Sequence, residues 1–373
     1  MIVGLFPELL APGGVQRAGR HIAAVLAQFA DETRQPVRLL SLKDPHGANE
    51  FRLGSQRVTF WGAGGSKIRF VAEALRERGK ARVVLAAHPN LAPVAWALKA
   101  GSGCARAAVV AHGIEVWEPL PLLRRQALRR VDFVLTPSTD TAEKVVQKQG
   151  VLPAKVRQLA WGLDPEFFAA TKNNPAPRPR SFPPGRVVLA VARLVASERY
   201  KGIDELIQIL PRLAPAIPDL HLVVVGDGDD RARLEQVAAS AGVRDRAVFL
   251  GALEREDLIT CYRHADVFAL PSSGEGFGLV FLEAMALGKP VVGGAHGGTP
   301  DVIEDGVTGF LVRQEDTERL AELLRRLLTD EALRRRLGAQ AQAFVGRNFL
   351  FEHFEARLRS ILADLCAPQQ NQA

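Results

Sequence analysis

What most constrains the fold is a unit of short apolar run, loop and helical period that recurs along the chain and is broken only once. Residues 2–6 are apolar, a loop with Pro12, Gly13 and Gly14 follows, and residues 15–29 have helical spacing. Residues 37–42, 83–87, 107–111, 131–136 and 156–159 read as further strands, with helical segments such as 68–78 and 141–149 between them. Short, continuously apolar strands are buried on both faces, and intervening helices impose parallel crossovers. The pattern therefore predicts a doubly wound parallel α/β sheet. It stops between Ala169 and Arg186, where Pro175, Pro177, Pro179, Pro183 and Pro184 crowd beside Asn173 and Asn174. It then restarts with strands at 187–191, 220–225, 247–250, 267–270, 290–293 and 309–312, and helices at 203–213, 230–241, 256–264, 279–287 and 317–328.

Two Rossmann-like domains follow: residues 1–170, a Pro-rich linker at 171–186, and residues 187–346. Phe351, Phe354, Leu358, Ile361, Leu362 and Leu365 recur every three or four residues, so 347–366 is an amphipathic helix able to pack back across both domains, and the tail 367–373 frays. A length of 373 residues excludes a single small module, and 47% hydrophobic with 24% charged residues excludes a disordered or fibrous chain. Cys104, Cys261 and Cys366 are odd in number and far apart, which leaves no disulfide framework and no CxxC zinc site. The N-terminus lacks a basic region and a cleavage site, and the longest uncharged apolar stretch, 83–98, is interrupted by His88, Pro89, Asn90 and Pro93. A cytoplasmic setting is expected.

The formal charge of +7 is unevenly placed: residues 1–170 carry +9 and the remainder −2. An N-terminal domain so basic suits an anionic acceptor or an anionic lipid surface, and Arg124, Arg125, Arg129 and Arg130 on a helix with Leu120, Leu122, Leu123 and Leu128 could dock at a membrane. Nucleic acid is not an expected partner, since aromatics are 6% and no basic tract is interleaved with them.

In open parallel sheets ligands bind beyond the carboxyl ends of the strands, so the chemistry belongs to the strand-to-helix loops of an interdomain cleft. The densest signal is PSSGEGFGLVFLEAMALGKP at 271–290. Glu275 and Glu283 are eight apart, so a helix starting near Gly278 would align them along one face at different depths. Gly276, Phe277, Gly278 and Leu279 present backbone N–H groups at a helix start, which suits a diphosphate or a sugar hydroxyl. Arg193 and Lys201, beyond the first strand of the second domain, can neutralise a departing diphosphate, with Arg199 close enough to be confused with either. Gly13 and Gly14 permit close approach of backbone to phosphate without forming a G-x-G-x-x-G dinucleotide fingerprint. His112, after a strand and before Gly113, can reach a sugar hydroxyl or a departing phosphate; Glu115 serves acceptor or loop, and His88 reads as structural. In Gly226-Asp227-Gly228-Asp229-Asp230 a helix cap by Asp229 or Asp230 is a tighter reading than a metal site.

These motifs, in this order, resemble the retaining nucleotide-sugar glycosyltransferases of GT-B fold with an E-x7-E motif, glycosyltransferase family 4. The resemblance spans essentially the whole chain and is densest from Val187 to Asp305. It implies that Glu275 contacts the transferred sugar, that Glu283 accepts from the ribose hydroxyls, and that Arg193 and Lys201 form the pair that replaces a metal. It likewise gives His112 a functional role, places Gly13 and Gly14 at the donor diphosphate, and sets the backbone around Phe249 to Leu253 against the nucleobase. Gly297-Gly298-Thr299-Pro300-Asp301 is similar to the family's GGxPE turn, with Asp in place of Glu. The implied activity is metal-independent transfer, with retention, of a hexose from a UDP- or GDP-linked donor, with no cofactor required. The acceptor hydroxyl would belong to a glycan, a lipid-linked molecule or a small molecule, bound by the N-terminal domain, with the donor on the C-terminal one. An epimerase, a phosphorylase or a silent sugar-nucleotide-binding subunit on the same fold are the alternatives.

Overall fold

A computed structural model describes residues 1–103, 105–172, 177–179 and 182–367. Cys104, much of the Pro-rich break including Asn173, Asn174 and Pro175, and the tail from 368 lie outside the described residues. The chain forms two compact units, Met1–Asp164 joined by the segment from Phe351 onward, and Pro165–Leu350.

In the first unit, strands β1 (Ile2–Phe6), β2 (Val37–Ser41), β3 (Gly47–Leu53), β4 (Gln56–Gly62), β5 (Val83–Ala86), β6 (Arg106–Val110), β7 (Phe133–Thr136) and β8 (Val156–Gln158) form one sheet ordered β3-β4-β2-β1-β5-β6-β7-β8. Helices α1 (Gly14–Glu32), α2 (Lys67–Leu75), α3 (Ala92–Ala100), α4 (Leu122–Arg130) and α5 (Thr139–Gln149) cross over between them. β1 is central because each of its residues is buried, and it pairs in parallel with β2 and β5 through Ile2↔Val37 and Ile2↔Val83. The sheet is not wholly parallel, contrary to the alternation read from the sequence. β3 and β4 pair antiparallel across the tight turn at Gly54, whose φ of 58° suits glycine, and they add an edge hairpin. Their alternating polar and apolar residues are those of a strand wet on one face, a period that a search for buried apolar runs passes over.

The second unit runs α6 (Pro165–Ala170), β9 (Val187–Val191), α7 (Ile203–Leu213), β10 (His221–Val225), α8 (Arg231–Ser240), β11 (Ala247–Gly251), α9 (Arg255–His264), β12 (Val267–Leu270), α10 (Leu279–Ala286), β13 (Val291–Gly294), β14 (Gly309–Val312), α11 (Thr317–Thr329) and α12 (Glu331–Asn348). Its sheet is parallel throughout, in the order β11-β10-β9-β12-β13-β14. The final helix, α13 (Phe351–Cys366), lies in the first unit. Phe354, Leu358, Leu362 and Leu365 are buried, His21 of α1 meets the Phe351 ring edge-on at 5.2 Å, and Arg359 pairs with Glu32 at 2.6 Å.

Both sheets reverse strand order beside their first strand, between β1 and β5 and between β9 and β12. Chain connections leave such a switch point in opposite directions and open a crevice at the carboxyl ends of the strands. The loops after β1, β5 and β6 hold Gly13, His88 and His112, and those after β9, β12 and β13 hold Arg193, Glu275 and Gly297.

Candidate functional site

In the second unit the loop after β12 is clamped from two sides. On one side Ser273 N donates to Tyr200 O at 2.8 Å, and Gly202 (φ 81°) lies so close to Pro271 that a Cβ there would sit 2.6 Å from the Pro271 carbonyl. On the other, Gly298 N donates to Glu275 O at 2.6 Å, and a Cβ on Gly297 (φ 65°) would sit 2.4 Å from the same oxygen. The Gly297-Gly298 turn is therefore a support for Glu275 and more than the start of a helical turn.

Within this clamp Lys201 Nζ donates to Glu275 Oε1 at 2.5 Å. The carboxylate is 7% exposed, and both side chains are largely withdrawn from water, which strengthens their attraction. The three neighbouring cations are thereby told apart. Arg199 pairs with Asp230 at 2.9 Å, in a network where Arg233 bridges Asp230 and Asp204. Arg193 pairs with Glu198 and keeps a side chain 73% exposed. It lines a narrow crevice with Glu198, Arg199 and Lys201, leaving its charge available at the rim. Tyr200 stacks its ring 5.3 Å from Lys201 Nζ, and burial followed by the carboxylates of Glu198 and Glu275 holds its phenol above the ordinary value, so it stays protonated.

α10 begins just after Gly278, which adopts φ 96° and leaves the first N–H groups of the helix without a side-chain cap. Glu275 thus belongs to the loop, and the alignment of both glutamates along one helix face does not occur. Gly276 and Leu279 are half-buried, whereas Phe277 is buried edge-on against Phe349 at 5.8 Å. Glu283 is 3% exposed and accepts from Tyr262 Oη at 3.0 Å. Asp230 occupies the cap position of α8 but makes no side-chain cap, since its carboxylate is taken by Arg199 and Arg233; Asp229 accepts instead from Ala196 N at 2.8 Å. The Gly-Asp-Gly loop serves to brace the Arg193 loop, with Leu194 N donating to Asp227 O at 3.0 Å and Gly226 N to Gly251 O at 2.8 Å, two residues before half-buried Leu253. Among the described residues no group of three or more His, Cys, Asp or Glu is placed to hold a metal ion.

In the first unit Gly13 (φ 138°) and Gly14 are exposed at the start of α1. His112 stacks between His88 at 5.8 Å and Trp161 at 5.3 Å, with Nε2 2.7 Å from Ala87 O and its backbone N–H donating to Glu115 at 2.5 Å. Ala87 O can only accept, so Nε2 carries the proton and Nδ1 is left as an acceptor in the neutral ring. Burial, and then His112, depress His88 to about 4.

Residues 176–344 match the family model described as glycosyl transferases group 1. Over 308 residues, 78% of each chain, the sequence is 34% identical to the GDP-mannose-dependent monoacylated alpha-(1-6)-phosphatidylinositol monomannoside mannosyltransferase of Corynebacterium glutamicum. The chain belongs to the group 1 glycosyl transferases.

This glycosyl transferase is also 35% identical, over 71% of its length and 70% of the relative's, to the GDP-mannose-dependent alpha-(1-6)-phosphatidylinositol monomannoside mannosyltransferase of Mycolicibacterium smegmatis. Its fold is that of the sucrose-phosphate synthase from Thermosynechococcus elongatus, with a TM-score of 0.78 at 22% identity over 98% of both chains, which makes the architecture GT-B. Three side chains of the glycosyl transferase were not marked by motif reading: Trp161 on His112, Tyr262 on Glu283 and Tyr200 beside Lys201. One signal was there, since Tyr200 and Tyr262 are the chain's two tyrosines and both stand at this site.

Proposed function

We propose that this glycosyl transferase moves a hexose, with retention and without a metal, from a nucleoside-diphosphate sugar to a hydroxyl of a lipid-linked acceptor. The buried Lys201–Glu275 pair carries the reading. It places a carboxylate fit for sugar hydroxyls against a cation fit for a diphosphate, beside the uncapped start of α10 and the exposed Arg193. In the proposed reaction the acceptor oxygen bonds to the anomeric carbon as the bond from that carbon to the phosphate oxygen breaks, on the same face. The bonding pair leaves with the diphosphate, which takes the acceptor proton, while Arg193 and Lys201 offset the growing charge and Glu275 orients the sugar. Glu283 receives the ribose hydroxyls, Gly276 to Leu279 and Leu253 flank the nucleotide, and Gly13, Gly14 and His112 serve the first unit's part of the reaction. The relatives' names favour GDP-mannose as donor and a phosphatidylinositol-type lipid as acceptor.

The test is transfer from a panel of GDP- and UDP-sugars to detergent-solubilised glycolipid, with EDTA present, and product stereochemistry read by NMR. Lys201→Ala and Glu275→Gln should each lower turnover by about 10²–10³-fold while the protein still unfolds cooperatively. Near-normal turnover in either variant, or an inverted product, would defeat the assignment.

A further inference from the structure

We infer that Trp161, backed by Phe354 of α13, is a positioning residue that sets the orientation of the His112 ring; this rests on the part given to His112 in the reaction proposed above. β5, β6, β7 and β8 lie side by side and parallel, so the loops beyond them emerge at one carboxyl edge of the first unit's sheet. His88 follows β5 and His112 follows β6, on neighbouring strands, but Trp161 follows β8, with β7 between. The chain beyond β8 must therefore run back over the end of β7 for the indole to reach the imidazole, and Leu159 N, which donates to Thr136 O at 2.8 Å, ties the start of that path to β7. Phe354 comes from the other end of the chain. Four rings from four separate segments thus form one pile: His88 to His112 at 5.8 Å and 29°, His112 to Trp161 at 5.3 Å and 20°, and Trp161 to Phe354 at 5.7 Å and 40°.

An imidazole turns easily about χ2, a broad and nearly two-fold torsion, and a half-turn exchanges Nδ1 for a carbon. The hydrogen bond from Nε2 to Ala87 O at 2.7 Å is a pivot, which by itself leaves the ring free to tilt about it. The backbone is fixed separately, by His112 N–H on Glu115 at 2.5 Å and by Ala111 N–H on Leu135 O at 2.8 Å. What holds the plane of the ring is contact with its faces, and Trp161 is the closer and the more nearly parallel of its two ring neighbours. His88, depressed to about 4, is neutral near pH 7 and sets no second imidazolium against His112.

Trp161 is 5% exposed and Phe354 fully buried. With His112 and Phe354 against it, the indole has no face to offer a sugar, so its effect on the reaction passes through His112. Phe354 is in turn packed on Phe351 and His21, each at 6.0 Å, so the backing is itself held from behind.

The test compares the full chain with Trp161→Leu, which stays apolar but has no flat face, and with Trp161→Phe, which keeps one. Thermal unfolding checks that each folds, and Trp161→Met replaces Trp161→Leu if the latter does not. The first readout, nitrogen NMR of isotope-labelled histidine at pH 8, needs no substrate; the His112 signals are those lost in His112→Ala. We expect a single Nε2–H tautomer of His112 in the parent and in Trp161→Phe, and a mixture of both tautomers in Trp161→Leu. The second readout is steady-state transfer to glycolipid. Trp161→Leu should lower kcat about 10–100-fold with the KM for donor within about twofold of the parent, and Trp161→Phe should return kcat to within about fivefold. In a chain that already carries His112→Ala, Trp161→Leu should cost nothing further. A single tautomer retained in Trp161→Leu, normal turnover in that variant, equal losses in the leucine and phenylalanine variants, or losses that multiply in the double variant would each overturn the inference, since Trp161 would then serve packing alone or act without His112. A parent chain that transfers no sugar defeats the proposed reaction instead, and the tautomer readout then decides the positioning role by itself.

Discussion

Replacing Gly297 by alanine should disable Glu275 while leaving its side chain chemically unchanged. Gly297 has φ 65°, where a residue with a side chain costs about 1–2 kcal/mol. Its new Cβ would also lie 2.4 Å from Glu275 O and 2.6 Å from Glu275 N. Both are backbone atoms of the residue whose own carboxylate holds Lys201, so relief of the overlap must move Glu275 by roughly 1 Å, since atoms in good contact with carbon stand about 3.5 Å away. Added to the backbone cost, the loss of stability should reach about 2–4 kcal/mol. A displacement of this size at a reacting centre lowers turnover by roughly 10²-fold. Gly306→Ala is the matched control: its φ is 73°, but a Cβ there meets nothing within 4 Å. Thermal unfolding and steady-state transfer measured on both variants should show the backbone penalty in each and the loss of turnover only in Gly297→Ala. Full turnover in Gly297→Ala, or equal losses in the two, would refute the claim that this turn positions Glu275.

Tyr262→Phe removes one donor to a buried carboxylate and should destabilise the second unit by about 1–3 kcal/mol; if Glu283 holds the ribose, the KM for donor rises more than kcat falls, and an unchanged KM would separate Glu283 from nucleotide binding. Burial, and then His112, push His88 from its ordinary 6.5 down to about 4 in the folded chain, so the unfolded chain binds more protons between those values. Its contribution to stability is therefore whole above pH 6.5, falls as pH drops towards 4 and totals roughly 3 kcal/mol. Buried His21, also depressed by burial, acts in the same direction. His88→Asn, which keeps an acceptor for Asn90 N–H, should flatten denaturant-derived stability across that window, and an unaltered slope would show that His88 is not its source. Leu358→Ala opens a cavity under α13 and should cost about 2–5 kcal/mol, read as a lower unfolding midpoint; a midpoint like that of the parent would mean that α13 does not complete the core of the first unit.

What the amino-acid sequence determined by itself is what rests on local pattern. Apolar runs separated by helical periods require buried parallel strands. Because ligand loops follow strand ends in that architecture, the placement of Arg193, Glu275, Gly297 and His112 beyond strands was legible as well. The edge hairpin β3–β4 was not, because a strand wet on one face lacks the apolar run that marks its buried neighbours. Tertiary structure alone decided which cation meets Glu275. Residues 196–201 form an irregular turn ending at a left-handed Gly202, so no period tells Arg193, Arg199 and Lys201 apart; Asp230, brought in from the next loop, takes Arg199 and leaves Lys201 for the carboxylate. Tyr262 reaches Glu283 across two helices for the same reason, as partners 21 residues apart meet only when both helices cover one sheet.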